Sequence, residues 1–198
     1  PQDLLARWQN APIPAAFVAE RREGEEFARS FPDQAIYGLS SYRSEVAAAA
    51  AAQGNGVHLE GKGWHTDGSR PDLPDWHLDK LASLDARVRV MSSFENTHQQ
   101  HYISKRIFDA FVVGGIPTCY ADKNHSIHRL VPESCMINTF GQSPEEAAAR
   151  IIGIKPGLEM AESWLETAMN LQALCTDTDV IAHERERVAE AVLRAIEA

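Results

Sequence analysis

The chain has 198 residues, a net charge of −9 and an apolar fraction of 44%, which is enough for one substantial globular domain with a core. Its acidic balance excludes a general nucleic-acid surface, which needs a basic stripe. No apolar run approaches the roughly 20 residues of a membrane span.

Residues 1–14 read as a lead-in, in which Leu4, Leu5 and Trp8 form a short amphipathic turn ended by Pro12 and Pro14. The opening PQDLLARWQN lacks the charged and apolar regions of a signal peptide. The lack of an initiator Met points to a processed chain or to a domain of something longer. Ala15–Glu20 is the first predicted strand, and Glu23–Phe31, EGEEFARSF, a short helix. Ser41 is the expected N-cap of a helix over Tyr42–Gln53, whose alanine run has the highest helix propensity and which Gly54 and Gly56 end. Val57–Glu60 reads as a strand, Thr66–Pro74 as a turn-rich loop and His77–Leu84 as a helix.

The most informative stretch runs from Arg87 to Tyr120. Val88, Val90 and Phe94 alternate with Arg87, Arg89 and Ser93 at the period of a strand. A polar loop follows, and then Ile103, Ile107, Ala110 and Phe111 share one helical face. Gly114 and Gly115 stop that helix, and Ile116–Tyr120 is a buried-type strand. This is a βαβ unit with parallel strands. Its first helical turn carries Lys105 and Arg106, cations at the end where the helix dipole is already positive. Either both swing into solvent, or they converge with backbone N–H groups on an anion at the carboxyl edge of the sheet.

Cys135–Asn138 is a further expected strand. Ser143, Pro144 and Glu146 form a capping box that starts a helix to about Ile152. Two helices follow, from Leu158 to about Leu174 and from about Asp179 onward, the second with Val188, Val192 and Ile196 on one stripe. The order predicts an α/β, doubly wound Rossmann-like parallel sheet over 15–155, with a helical C-terminal tail over 156–198 packing on it.

The segment FENTHQQHYISKRIFDAFVVGGIPTCYAD resembles the signature of the α-1,3/1,4-fucosyltransferases. That pattern is F-E-N, a short loop, Y-[VI]-[TS]-E-K-[IL]-x-D-A, a small-residue turn and [VI]-P. Phe94, Glu95 and Asn96 match its first part, Tyr102, Ile103, Ser104, Ile107, Asp109 and Ala110 its second, Ile116 and Pro117 its third. The resemblance covers about residues 15–155 and is strongest over 94–121. It implies a GT-B glycosyltransferase, with this chain the donor-binding half. The donor would be a nucleotide sugar, GDP-fucose first, and the reaction an inverting transfer to a glycan hydroxyl without a metal or other cofactor. By motif position, Arg43 and Arg106 would contact the donor pyrophosphate, while Asn96, Tyr102 and Lys105 would lie around the nucleoside. The catalytic base would belong to an acceptor domain upstream that this chain lacks. Lys105 departs from the family's glutamate, because a lysine cannot accept from ribose hydroxyls. That departure, with the missing domain, leaves open a degenerate module that binds a nucleotide or a partner and does not transfer.

Arg43 opens its helix as a second cation at a positive end, either solvated or a phosphate ligand. Glu95 is a donor contact or a carboxylate accepting backbone N–H groups, and Asn96 and Tyr102 are donor contacts or loop caps and packing. Two H-x-x-H pairs, His98/His101 and His125/His128, lie in predicted loops without cysteine partners, and no metal site is expected. Asp177-Thr-Asp179 reads as a helix cap, and Lys62 as a turn lysine or a phosphate contact. Cys119, Cys135 and Cys175, odd in number and widely spaced, are expected as reduced core thiols, which points to a cytoplasmic protein.

Overall fold

The computed structural model describes residues 1–64 and 74–197. The expected loop over Thr66–Pro74 lies outside the described residues except for Pro74. Five strands, β1 (Ile13–Val18), β4 (His58–Glu60), β5 (Val88–Met91), β7 (Ile116–Cys119) and β8 (Ile137–Asn138), form one sheet in the order β4-β1-β5-β7-β8. Every pairing in it is parallel. With seven helices around it among the described residues, the chain is α/β and compatible with a Rossmann-like fold.

The first strand begins two residues earlier than expected. Ile13 already pairs with Val88, and its N–H donates to the Arg87 carbonyl at 3.1 Å. Pro14 fits in this central strand because pairing with β4 starts only at Ala16, so no partner needs the missing N–H.

Alternating strand side chains send Ala15 and Phe17 one way and Ala16 the other. Ala15 and Phe17 join Val46, Ala47 and Ala50 of α2 (Ser40–Gln53) with Ala147, Ala148 and Ile151 of α5 (Pro144–Gly153). Ala16 joins a separate cluster with Leu84 of α3 (Trp76–Leu84) and Ala110 and Val113 at the end of α4 (Lys105–Val112).

Residues 1–14 hold more structure than a turn. Gln2–Gln9 forms α1, and Trp8 is fully buried, its indole donating to the Gly114 carbonyl at 2.8 Å. Trp164 of α6 (Leu158–Thr176) donates to the neighbouring Gly115 carbonyl at 3.0 Å. The two glycines therefore stop α4 and also dock two helices. Gly114 has φ +70°, and a Cβ there would lie 2.1 Å from the Arg7 guanidinium. The last helix, α7 (Thr178–Glu197), buries none of its described side chains, and Val188, Val192 and Ile196 all face outward.

Where a helix was expected over Glu23–Phe31, the chain makes one 3-10 turn at Glu25–Phe27 and enters β2 (Ser30–Phe31). β2 pairs antiparallel with β3 (Ile36–Gly38), and β3 with β6 (Thr97–His98), giving a small second sheet. Ser41 does not cap α2. Leu39 is the N-cap, and the Ser41 hydroxyl donates to the Gly24 carbonyl at 3.0 Å. A tertiary hydrogen bond outcompetes the local one. The strand expected over Cys135–Asn138 shortens to Ile137–Asn138 behind a 3-10 turn. The Ser143–Glu146 capping box forms as expected. Cys119 and Cys135 are buried, whereas Cys175 is exposed and not a core thiol.

Candidate functional site

A cleft of about 570 Å³ opens at the carboxyl ends of β1 and β4, beside the first turn of α4, within the size range of small-molecule sites. Val18, Ala19 and Glu20 line it from the end of β1, and Glu60, Gly61 and Lys62 from the end of β4. Trp76 and Lys80 of α3, the loop residues Asn96 and Tyr102, and Ser104, Lys105, Arg106 and Asp109 complete it. Open parallel sheets bind ligands at this edge, beside the point where strand order reverses. Here the reversal lies between β1 and β5.

Of the six residues expected at a ligand site, Asn96, Tyr102, Lys105 and Arg106 line the cleft. Arg43 and Glu95 stand one layer behind. Arg43, only 5% exposed, donates through Nη1 to the Asn96 side-chain oxygen and through Nη2 to the Glu20 carbonyl at 3.5 Å. Its Nε is buried and without a partner among the described residues. Burial, reinforced by the positive charges of Arg106 and Arg22, pushes the Arg43 guanidinium down to about 10. It stays charged at neutral pH in a field that disfavours charge, and an anion in the cleft would relieve that field. The second sheet makes this arrangement possible. β3 pairs with β6, and the Leu39 N–H ahead of Arg43 donates to the Asn96 carbonyl at 2.8 Å.

Glu95 takes its structural role. Its carboxylate accepts from the Ser104 N–H at 2.7 Å and the Ser104 hydroxyl at 2.8 Å, and lies 3.7 Å from Arg106 Nε. Ser104 in turn caps α4 by accepting from the Arg106 N–H at 3.3 Å. The positive end of α4 is thus partly occupied by the protein's own carboxylate. Lys105 and Arg106 line the cleft from this turn. Lys105 is exposed, and its ammonium lies 5.0 Å from the centre of the Trp76 ring, itself partly exposed, a cation–π contact at the cleft mouth.

Sequence reasoning missed Trp76, Lys80 and the role of Asp109. Lys80 is 6% exposed and donates from Nζ to Asp109 Oδ2, and Asp109 Oδ1 lies 2.9 Å from His77 Nε2. Burial pulls the Lys80 ammonium down, the Asp109 carboxylate opposes this, and Lys105 and Arg106 add to the fall. The available signal was spacing. Lys80 lies four residues into an amphipathic helix, where an ammonium is unusual on the buried side, and Asp109 lies three residues after Arg106 on α4. Lys62 lines the cleft too. The cleft carboxylates are engaged: Glu20 with Arg22 at 3.1 Å, Glu60 with His58 at 2.9 Å, Asp109 with Lys80 and His77.

One histidine of each H-x-x-H pair meets the other, His98 and His125 lying with ring centroids 5.1 Å apart. His98 is buried between the Tyr120 carbonyl and Asp122, whereas His101 is exposed against Ser126. His125 caps a 3-10 turn, and His128 lies against the Asp122 carbonyl at 2.8 Å. Among the described residues no three His, Cys, Asp or Glu side chains form a group that could hold a metal ion. Asp177 caps α7, accepting from Asp179 and Val180 N–H. No described helix is long and apolar enough to cross a membrane.

Compared with models of known protein families, the chain matches none. Its comparison with curated proteins likewise gives no match.

Proposed function

We propose that this cleft binds the diphosphate of a nucleotide sugar, GDP-fucose first, and that the chain is the donor-binding half of a fucosyltransferase-like GT-B glycosyltransferase. The observation that carries the reading is the cleft itself. Lys62, Lys80, Lys105 and Arg106 line it, its carboxylates are paired, and Arg43 adds charge from behind, in a protein of net charge −9. The resemblance of residues 94–121 to the fucosyltransferase signature supplies the reaction class. In an inverting transfer the acceptor hydroxyl displaces the leaving nucleoside diphosphate, on which negative charge grows. Fixed cations stabilise that charge more in the transition state than in the ground state. Arg106, with its planar fork, suits a phosphate oxygen pair. Deprotonating the acceptor needs a general base, which this reading, following the resemblance, assigns to a carboxylate in an acceptor domain of a longer protein.

Calorimetry with GDP, UDP and GDP-fucose tests the reading. At least one is expected to bind, and Arg106→Ala is expected to weaken it about tenfold or more, the worth of a charge-assisted hydrogen bond. Absence of binding by all three at millimolar concentration would sink the reading. A second reading, a module that binds a nucleotide without transferring, is favoured by one observation. Each carboxylate on the cleft wall already has a cation or imidazole partner, so none stands ready to take the acceptor proton as a general base. Donor binding without sugar transfer or hydrolysis when an acceptor domain is supplied would decide for it.

A further inference from the structure

Lys80 is a costly residue where it stands. It is 94% withdrawn from solvent, being 6% exposed, yet its side chain forms part of the cleft wall. A buried ion pair gives little stability over an apolar pair of the same shape, so stability alone is a weak reason for it. The pair is also unequal. Asp109 receives two partners, Lys80 and His77. The Lys80 ammonium has three N–H donors, and Asp109 Oδ2 accepts one of them. No other hydrogen bond or ion pair engages it among the described residues.

Its position is set by α4. Asp109 follows Arg106 by three residues on that helix, so the two lie on one face about 5–6 Å apart at Cβ. Asp109 therefore holds the ammonium one turn along from the Arg106 guanidinium, on the same cleft wall. Two cations at that separation suit two linked phosphates better than one. The backbone donors at the start of α4 are already shared with Glu95 and Ser104, so a second phosphate needs another cation.

We infer that Lys80 is a further ligand-binding residue of the cleft, donating to the second phosphate of a nucleoside diphosphate, and that Asp109 is its positioning residue. The inference rests on the diphosphate reading of the cleft. Arg106 takes one phosphate and Lys80 the other, and the cleft thereby discriminates diphosphates from monophosphates.

The test uses the full chain, with GDP against GMP, UDP against UMP, and inorganic pyrophosphate against orthophosphate, by calorimetry. Wild type is expected to prefer the diphosphate of each pair. Lys80→Met with Asp109→Leu replaces the pair by apolar groups and leaves the net charge of the wall unchanged, so the field on Arg106 is preserved. In that double variant, diphosphate affinity is expected to fall about tenfold, with monophosphate affinity within twofold of wild type. Asp109→Asn alone keeps the ammonium but removes the carboxylate that holds it, and is expected to lower the diphosphate preference by about threefold, less than the double variant; a preference unmoved by it overturns the positioning role of Asp109. If the double variant does not fold, as judged by its circular dichroism and melting, Lys80→Gln with Asp109→Asn carries the same comparison. A preference unmoved by loss of the ammonium overturns the role of Lys80 and leaves the cleft reading standing. A wild-type chain that binds none of the six probes overturns both.

Discussion

Arg43 shows what the site costs the fold. A guanidinium with one buried nitrogen unpartnered among the described residues, pressed by Arg106 and Arg22, is a poor choice for stability. Arg43→Met keeps an unbranched stem and removes the charge. Its expected outcome is an unchanged or raised melting temperature, together with ligand affinity lowered about tenfold. The loss would come from the missing positive field and from an Asn96 side chain no longer held. A melting temperature several degrees lower would show instead that Arg43 serves the fold. Lys105 is the counterpart. Its contact with Trp76 gives it a resting place without a carboxylate, at the position where the fucosyltransferase pattern that the chain resembles has glutamate. It supplies charge where that glutamate would supply a hydrogen-bond acceptor.

At the scale of elements, helix packing on the sheet rests on small side chains. Ala47 and Ala50 of α2 and Ala147 and Ala148 of α5 are all essentially fully buried. Even Gly54 at the end of α2 is tightly packed, since a Cβ there would lie 3.1 Å from the Ile152 side chain. The alanine run is therefore more than a propensity effect, because it lets α2 lie close to α5. Ala50→Leu is expected to destabilise by about 1–3 kcal/mol through overpacking, read as a melting temperature several degrees lower. No change would mean that the two helices have slack. Arg43 leaves from the first turn of this same α2, so tight α2–α5 packing also fixes where the guanidinium sits.

At the scale of the molecule, the parallel sheet, α1 and α6 form one packed unit, and α7 stands apart from its core. α1 and α6 meet through Trp8 and Trp164, whose rings lie edge to face at 6.0 Å over the Gly114–Gly115 turn. α7 has an exposed apolar stripe and no buried side chain among those described. Removing residues 178–198 is therefore expected to shift the melting temperature by no more than about 2 °C and to leave nucleotide affinity unchanged. A larger loss would show that α7 contributes to the fold through contacts along α6.

Much of this was legible along the chain because the deciding forces are local. The change from period 2 to period 3.6 between Val88 and Ile107, the Gly114–Gly115 stop, the Ser143 capping box and the alanine helix each depend on neighbours within one turn or strand. They determined that the protein is α/β and that Lys105 and Arg106 open a helix at a strand's carboxyl end. Tertiary structure alone decided what lies opposite them. Arg43 and Asn96 are 53 residues apart, Lys80 and Asp109 29, Trp8 and Gly114 106. No periodicity relates such pairs, and the two- and three-residue strands that align Asn96 with α2 are too short to carry a pattern. Whether Glu95 meets a ligand or its own helix end, and whether a lysine in α3 reaches the cleft, depends on which elements pack together. Non-local burial settles that, and local propensity does not.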